Sequence, residues 1–202
     1  MLATRWVPAL ALLSALAGPV GAAPDRTVSH YWVDPGKSLL RWELPATLHT
    51  VHGRVPAFRG SVDLEPGKNG YSIQSRIVVE AGAMTTGNRR RDRSMREKVL
   101  ETDRFPEIVF ELKRVSGDLT RLKSGESFTV GVTGELTVHG RAATVQLPID
   151  VYVFADHVIL AGSFPLHWRQ HGLKDPSFGL VKVKEPMHVV FRLRAVPGDS
   201  RP

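Results

Sequence analysis

Cysteine is absent from all 202 residues, so the chain gains its stability from burial, not from disulfides. Nor do histidines and carboxylates gather at metal-ligand spacings. His49-x-x-His52 and His167-x-x-x-His171 come nearest, and on strands or turns residues three or four apart do not converge as they do on a helix. No metal and no other cofactor is expected. G-x-S-x-G does not occur, and no serine stands in order with a histidine and an acid, which argues against a hydrolytic triad. Basic residues are dispersed between Arg41 and Arg194 and form no helix with interleaved aromatics, so nucleic acid is not expected as a partner. Internal repeats and low-complexity linkers are missing too.

Apolar runs long enough to span a bilayer are also lacking. The stretch Val7 to Ala17 is interrupted by Pro8 and Ser14. With Arg5 before it and Gly21, Ala22 and Ala23 after it, this stretch reads as a secretory signal over residues 1–22, cleaved after Ala22. Export of Gram-negative type, to the periplasm or the exterior, is the expectation. Residues 23–196 then form one domain with a sizeable core, and 197–202 a disordered tail. The formal charge of +7, one unit of which leaves with Arg5, favours peripheral contact with an anionic membrane.

What is present is period-two alternation. Leu40, Trp42 and Leu44 share one face, with Arg41 and Glu43 on the other. Seven further segments, the last ending at Leu193, repeat this arrangement of one apolar and one mostly polar face. That pattern describes antiparallel sheet with one side on a core and one in water. Short turns such as His139-Gly140-Arg141 and Ala155-Asp156-His157 imply sequential hairpins. The expected fold is all-β: an antiparallel up-and-down barrel, with a sandwich as the alternative. Closure removes exposed edges, and long strands favour it. The inward faces make Trp42, Phe58, Gly60, Ile73, Ile77, Phe110, Phe128, Val132, Gly134, Leu136, Leu147, Ile149, Leu160, Gly162, Phe164 and Phe191 the candidate lumen. Such a lining suits a lipid chain better than a polar metabolite. Gly60, Gly134 and Gly162 mark either barrel corners or volume cleared for that chain.

One segment breaks the alternation. Thr85-Thr86-Gly87-Asn88 leads into Arg89-Arg90-Arg91-Asp92-Arg93, then a short helix with Met95 and Val99 four apart, then Phe105-Pro106 at the start of a strand. This is one short helix in a long loop, where a site is most expected. Asn88, Arg90, Arg91 and Asp92 are the candidate head-group residues. Asp92 reads equally as a helix cap or a partner of a neighbouring arginine, and the arginine run as a solvated face.

The same residues resemble the YceI-like family. Its T-G-N-x-x-R-D segment and F-P-x-I-x-F strand are similar to Thr86–Asp92 and Phe105–Phe110. Val51–Val62 resembles its V-x-G-x-F-x-x-F-x-G-x-V segment, with Val55 or Pro56 where an aromatic is usual. Gly134–Gly140 and Val145–Pro148 resemble its G-x-L-T-x-x-G hairpin and V-x-L-P strand. The resemblance spans Tyr31 to Leu193. It implies a lipocalin-like barrel, a mostly periplasmic location and binding of polyisoprenoid-type lipids. The expectation is an exported, non-catalytic carrier of a polyisoprenoid or isoprenoid quinone, with a bound lipid in place of any cofactor. A filled-barrel interaction or stress module and a periplasmic enzyme acting on such lipids are the rivals. Homodimerisation is left open.

Overall fold

A computed structural model of the chain describes residues 28–67, 70–119, 122–177 and 180–198. The expected targeting segment, residues 1–22, lies outside these. Ten strands are present: β1 (Ser29–Val33), β2 (Leu39–Leu44), β3 (Val51–Arg54), β4 (Phe58–Gly67), β5 (Gly70–Glu80), β6 (Glu107–Ser116), β7 (Ser127–Val138), β8 (Arg141–Val153), β9 (Val158–Leu166) and β10 (Met187–Pro197). One α-helix stands among the described residues, α1 (Arg89–Ser94), and it runs into a wider π-type turn, Met95–Leu100.

Hydrogen bonding orders the strands β1-β4-β5-β6-β7-β8-β9-β10-β2-β3, and β1 also pairs with β10. β1 and β2 are halves of one ribbon. Both lie along β10, with Val33 opposite Ala195 and Leu40 opposite Phe191. β3 and β4 are halves of the next ribbon, pairing with β2 and β1 respectively. Counted as ribbons, this is a closed eight-stranded antiparallel barrel in which sequence neighbours are spatial neighbours. The expected all-β up-and-down barrel with one short helix in a long loop is therefore the fold observed.

Prolines account for both ribbon breaks, since a proline cannot donate to a ladder. Pro35 opens a tight turn in which Asp34 accepts from Gly36 N at 3.0 Å, while Ser38 Oγ accepts from Arg194 N at 2.9 Å and keeps the bend tied to β10. Pro56 separates β3 from β4, and Val55 N donates across the break to Leu40 O at 3.0 Å. In β6 the inward apolar spacing changes from two to three between Leu112 and Val115, where Lys113 is the extra residue of a bulge against β7. The tight hairpin from β7 to β8 holds His139 and Gly140 at φ of 52° and 70°, as a two-residue turn between twisted strands requires. One boundary differs from expectation. Pro197 pairs with Tyr31, and Trp32 Nε1 donates to Gly198 O at 3.0 Å, so both residues belong to the barrel and not to the tail. Residues 199–202 lie outside the described residues.

The barrel has two unlike ends. Leu44, Glu80, Val138, Leu166 and Met187 end or begin their strands on one side, which the α1 segment crosses. At the other end Phe128, Val130 and Val151 pack side chain against side chain.

Candidate functional site

The upper lumen is open. A cavity of about 1010 Å³ occupies it, at the top of the ~300–1,000 Å³ range of small-molecule pockets. Nine of the sixteen lumen residues expected from sequence form its wall: Trp42, Ile77, Phe110, Leu136, Leu147, Ile149, Leu160, Phe164 and Phe191. The other seven do not. Phe128 and Val132, opposite Val151 and Leu147, belong to the packed core cluster and do not border the cavity. Ile73 lies nearer the far hairpin, opposite Leu64. Phe58 is buried at the start of β4. Alternation assigns a face, but it does not say which inward side chains border the open volume and which pack behind or beside it.

Gly60, Gly134 and Gly162 are not among the glycines with positive φ. Nor do they border the cavity. A side chain at each would collide with a neighbour that does border it. At Gly60 that neighbour is Ile77, directly opposite; at Gly134 it is the Phe110 ring, one step diagonal; at Gly162 it is the Phe191 ring, directly opposite. Gly53, which the sequence reading did not single out, does the same for the Trp42 indole opposite it. Each glycine is a seat on which a large side chain lies flat along the wall. Without the seats, four bulky groups would point into the lumen. The glycines clear volume, but at one remove.

The mouth is covered on one side by residues 84–100. Met84, Met95 and Leu100 turn their apolar side chains to the cavity. Asn88 caps α1, its side-chain oxygen accepting from Arg90 N and Arg91 N at 3.1 Å each. Asp92 is not the cap and does not line the cavity, which leaves the nearby arginine, Arg96, as the expected partner that it keeps. It is 5% exposed and turns back on the loop that precedes the helix. Its carboxylate accepts from Thr85 Oγ1 at 2.7 Å, Thr86 N at 2.8 Å and Thr86 Oγ1 at 2.5 Å. Burial by itself would raise the Asp92 pKa. Those bonds and the charge of Arg96 outweigh it and hold the carboxyl below the usual carboxylate range. Thr85 in turn pairs through its backbone with Arg54 of β3. Asp92 thus ties the lid helix to the barrel wall.

A second tie lies at the lid's other end. Glu101, in a left-handed conformation, accepts from Lys174 at 2.8 Å, and Lys174 belongs to the loop covering the opposite side of the mouth. That hydrogen bond, despite partial burial, lowers the Glu101 pKa, with the nearby charges of Lys174, His139 and Arg104 adding to it. The loop itself is braced by Arg169, which stacks on Trp168 at 4.1 Å and bonds Glu185 at 2.8 Å.

Asn88, Arg90 and Arg91, three of the four candidate head-group residues, border the mouth together with Arg93, Lys98 and Lys174. Arg91 is partly committed, since its guanidinium donates to Thr86 Oγ1 at 2.8 Å. Arg90 makes no ion pair among the described residues and is the freest of the three. Trp168, Leu173, Val181 and Val183 also line the cavity and were not among the expected site residues. They lie after β9 in a segment with no alternation to read, although Trp168 does continue the inward face of that strand. Among the described residues the indole nitrogens of Trp42 and Trp168 have no hydrogen-bond partner. No group of three His, Cys, Asp or Glu side chains among the described residues could hold a metal ion.

The arrangement can enclose an apolar chain and place cations around whatever emerges. Comparison with known proteins agrees with the fold on which this rests. A comparison with curated proteins gives no match. Among solved structures, BcnA of Burkholderia cenocepacia superposes with a TM-score of 0.67 at 18% identity, covering 81% of this chain and 99% of that one. A polyisoprenoid binding domain from Saccharophagus degradans, implicated in plant cell wall breakdown, superposes with a TM-score of 0.67 at 19% identity, covering 83% and 98%. A Campylobacter jejuni YceI protein follows at a TM-score of 0.56 and 11% identity, covering 76% and 88%. The family profile of the YceI-like domain matches residues 31–195, and the chain therefore belongs to the YceI-like family.

Proposed function

We propose that this protein is an exported, non-catalytic carrier that sequesters a long apolar lipid of the polyisoprenoid or isoprenoid quinone type. The observation that carries the reading is the apolar cavity of about 1010 Å³ with its basic mouth. Family membership and the polyisoprenoid-binding domain among its structural neighbours support the lipid class. The signal-like residues 1–22 support export to the periplasm or beyond. Tail burial supplies the affinity, at roughly 25 cal/mol per Å² of apolar surface removed from water. Polar contacts at the mouth set the orientation.

Cavity size predicts a chain-length dependence. At roughly 30 Å³ per heavy atom, about the volume of a water molecule in the liquid, the cavity holds on the order of thirty carbons, or about six isoprene units. In a series of prenyl alcohols measured by fluorescence displacement, affinity should rise more than tenfold per added unit and then level off near that length. A flat series, or one still rising in much longer chains, counts against the lumen as the binding site. Mass spectrometry of lipid extracted from detergent-free protein identifies the physiological ligand.

The head group is tested separately. Arg90→Ala should weaken a polyprenyl phosphate roughly tenfold at low salt and much less at high salt, because exposed charge contacts are screened. Arg90→Ala/Arg91→Ala should add little beyond this, since Arg91 is already held by Thr86. The matching prenyl alcohol should respond to neither. Equal affinity for both lipids in every condition would assign these arginines to a solvated face.

A further inference from the structure

Leucine 48 and leucine 180 are the two most exposed large apolar side chains among the described residues, at 74% and 92%. They are far apart in sequence, but each is the chain neighbour of a residue that borders the cavity opening. A short antiparallel ladder joins their loops: Ala46 pairs with Val183, Thr47 N donates to Lys182 O at 2.9 Å, and Lys184 N donates to Pro45 O at 2.8 Å. Leu48 and Leu180 lie beyond this ladder on the two segments that it joins, and its register, continued one step, would set Leu48 opposite Val181. Their neighbours His49 and Val181 border the cavity opening, whereas the two leucines do not. Their exposure serves neither the core nor the lumen.

At the mouth the charge is one-sided. Arg90, Arg91, Arg93, Lys98 and Lys174 border the opening against Glu97 and Asp175. Lys182 and Lys184 are exposed on the ladder itself. Among the described residues Arg89, Arg90, Lys98 and Lys184 form no ion pair. Two protruding leucines beside a mouth with an excess of cations, several of them unpaired, match the layers of an anionic bilayer surface, with acyl chains beneath and phosphates above. A second copy of this chain fits less well, because two like-charged mouths repel.

We infer that the mouth of the barrel docks on an anionic phospholipid bilayer, with Leu48 and Leu180 entering the interface and Lys182, Lys184 and the lid arginines meeting phosphates. The cavity then opens towards the membrane. A lipid with negligible solubility in water can pass between bilayer and lumen without crossing bulk solvent. The docking stands on the exposed leucines and the charge, and the direction of transfer rests on the proposed lipid carriage.

The test is flotation with vesicles of phosphatidylcholine alone and of phosphatidylcholine mixed with phosphatidylglycerol. Wild type should partition to the anionic vesicles at least about tenfold more strongly than to neutral ones, and lose most of that preference at high salt. Leu48→Asn/Leu180→Asn and Lys182→Gln/Lys184→Gln should each reduce partition about tenfold. Tyr152→Ser, on the outer wall and 42% exposed, should leave it unchanged. All these variants should bind a prenyl alcohol in solution like wild type, because none of the substituted residues lines the cavity. Equal partition to both vesicle types, or no effect of either double variant, overturns the docking surface. So does a dimer in wild type that Leu48→Asn/Leu180→Asn abolishes, which would make the leucines a contact between copies. Normal docking by a protein that binds no prenyl lipid would leave this surface intact and remove the carrier reading instead.

Discussion

Gly134→Ala should cut affinity for a prenyl tail about thirtyfold while the barrel stays folded. The added methyl would occupy the space of the Phe110 ring and approach Glu111 O at 3.0 Å. The ring is a movable side chain already facing the cavity, so it swings inward and displaces ligand. Losing room for two or three methylenes at ~0.8 kcal/mol each gives about 2 kcal/mol, which is the thirtyfold. Gly162→Ala should behave differently. There the methyl meets the Phe191 ring at 2.8 Å and the backbone oxygen of Pro148 at 2.9 Å. A backbone atom cannot rotate away, and Pro148 O lies inside the contact limit that Glu111 O only reaches at Gly134, so here the strain of about 1–3 kcal/mol falls more on the fold. Thermal melts and titration of one prenyl alcohol separate the two outcomes. Phe110→Leu in the Gly134→Ala background should restore most of the affinity, because a smaller side chain fits over the new methyl. If Gly134→Ala binds like wild type, or melts like Gly162→Ala, the seat explanation is wrong.

That explanation was only half visible in the sequence. Alternation placed the glycines on inward faces correctly, and it placed Trp42, Ile77, Phe110 and Phe191 there as well. It could not say that each glycine faces one of these four, because register is a property of strand pairs and no single strand encodes it. The same limit explains Phe128 and Val132. They alternate in phase with Leu136 and join the core cluster, yet Leu147, directly opposite Val132, borders the cavity and they do not. The lid was legible as a place and misread in its details. Asn88 and Asp92 both suit a helix start, and sequence alone did not show which one caps. The loop residues Leu173, Pro176, Val181 and Val183 were invisible because they follow no period, yet they line the cavity.

Asp92→Ala should be the most destabilising substitution in the lid, although the side chain touches no cavity. It removes the acceptor of three hydrogen bonds and leaves Thr86 N, a backbone donor, without its partner. Bonds to a charged acceptor contribute about 1.5–3 kcal/mol, so a loss of roughly 2–4 kcal/mol is expected for the set. For a domain of this size that lowers Tm by about 5–10 °C. Asp92→Asn should cost about half as much, because one amide oxygen can still accept from Thr86 N. The effect on pH follows from the sign of the shift. The folded pKa lies below its ordinary value, so the ionised carboxylate stabilises the native lid at any pH above about 4. The contribution fades as pH falls from there through the folded pKa. Wild type should therefore lose stability across that acid range, and Asp92→Asn should show a flatter profile over the same range. Ligand release reports the lid directly. With Asp92 gone, the Thr85–Arg54 ladder loosens and amides of residues 84–100 should exchange faster with solvent. Prenyl lipid should leave the cavity correspondingly faster, with little change in its rate of entry. Unchanged exchange in the lid of Asp92→Ala, at a Tm within a degree of wild type, would show that the buried carboxylate is not what holds the mouth closed.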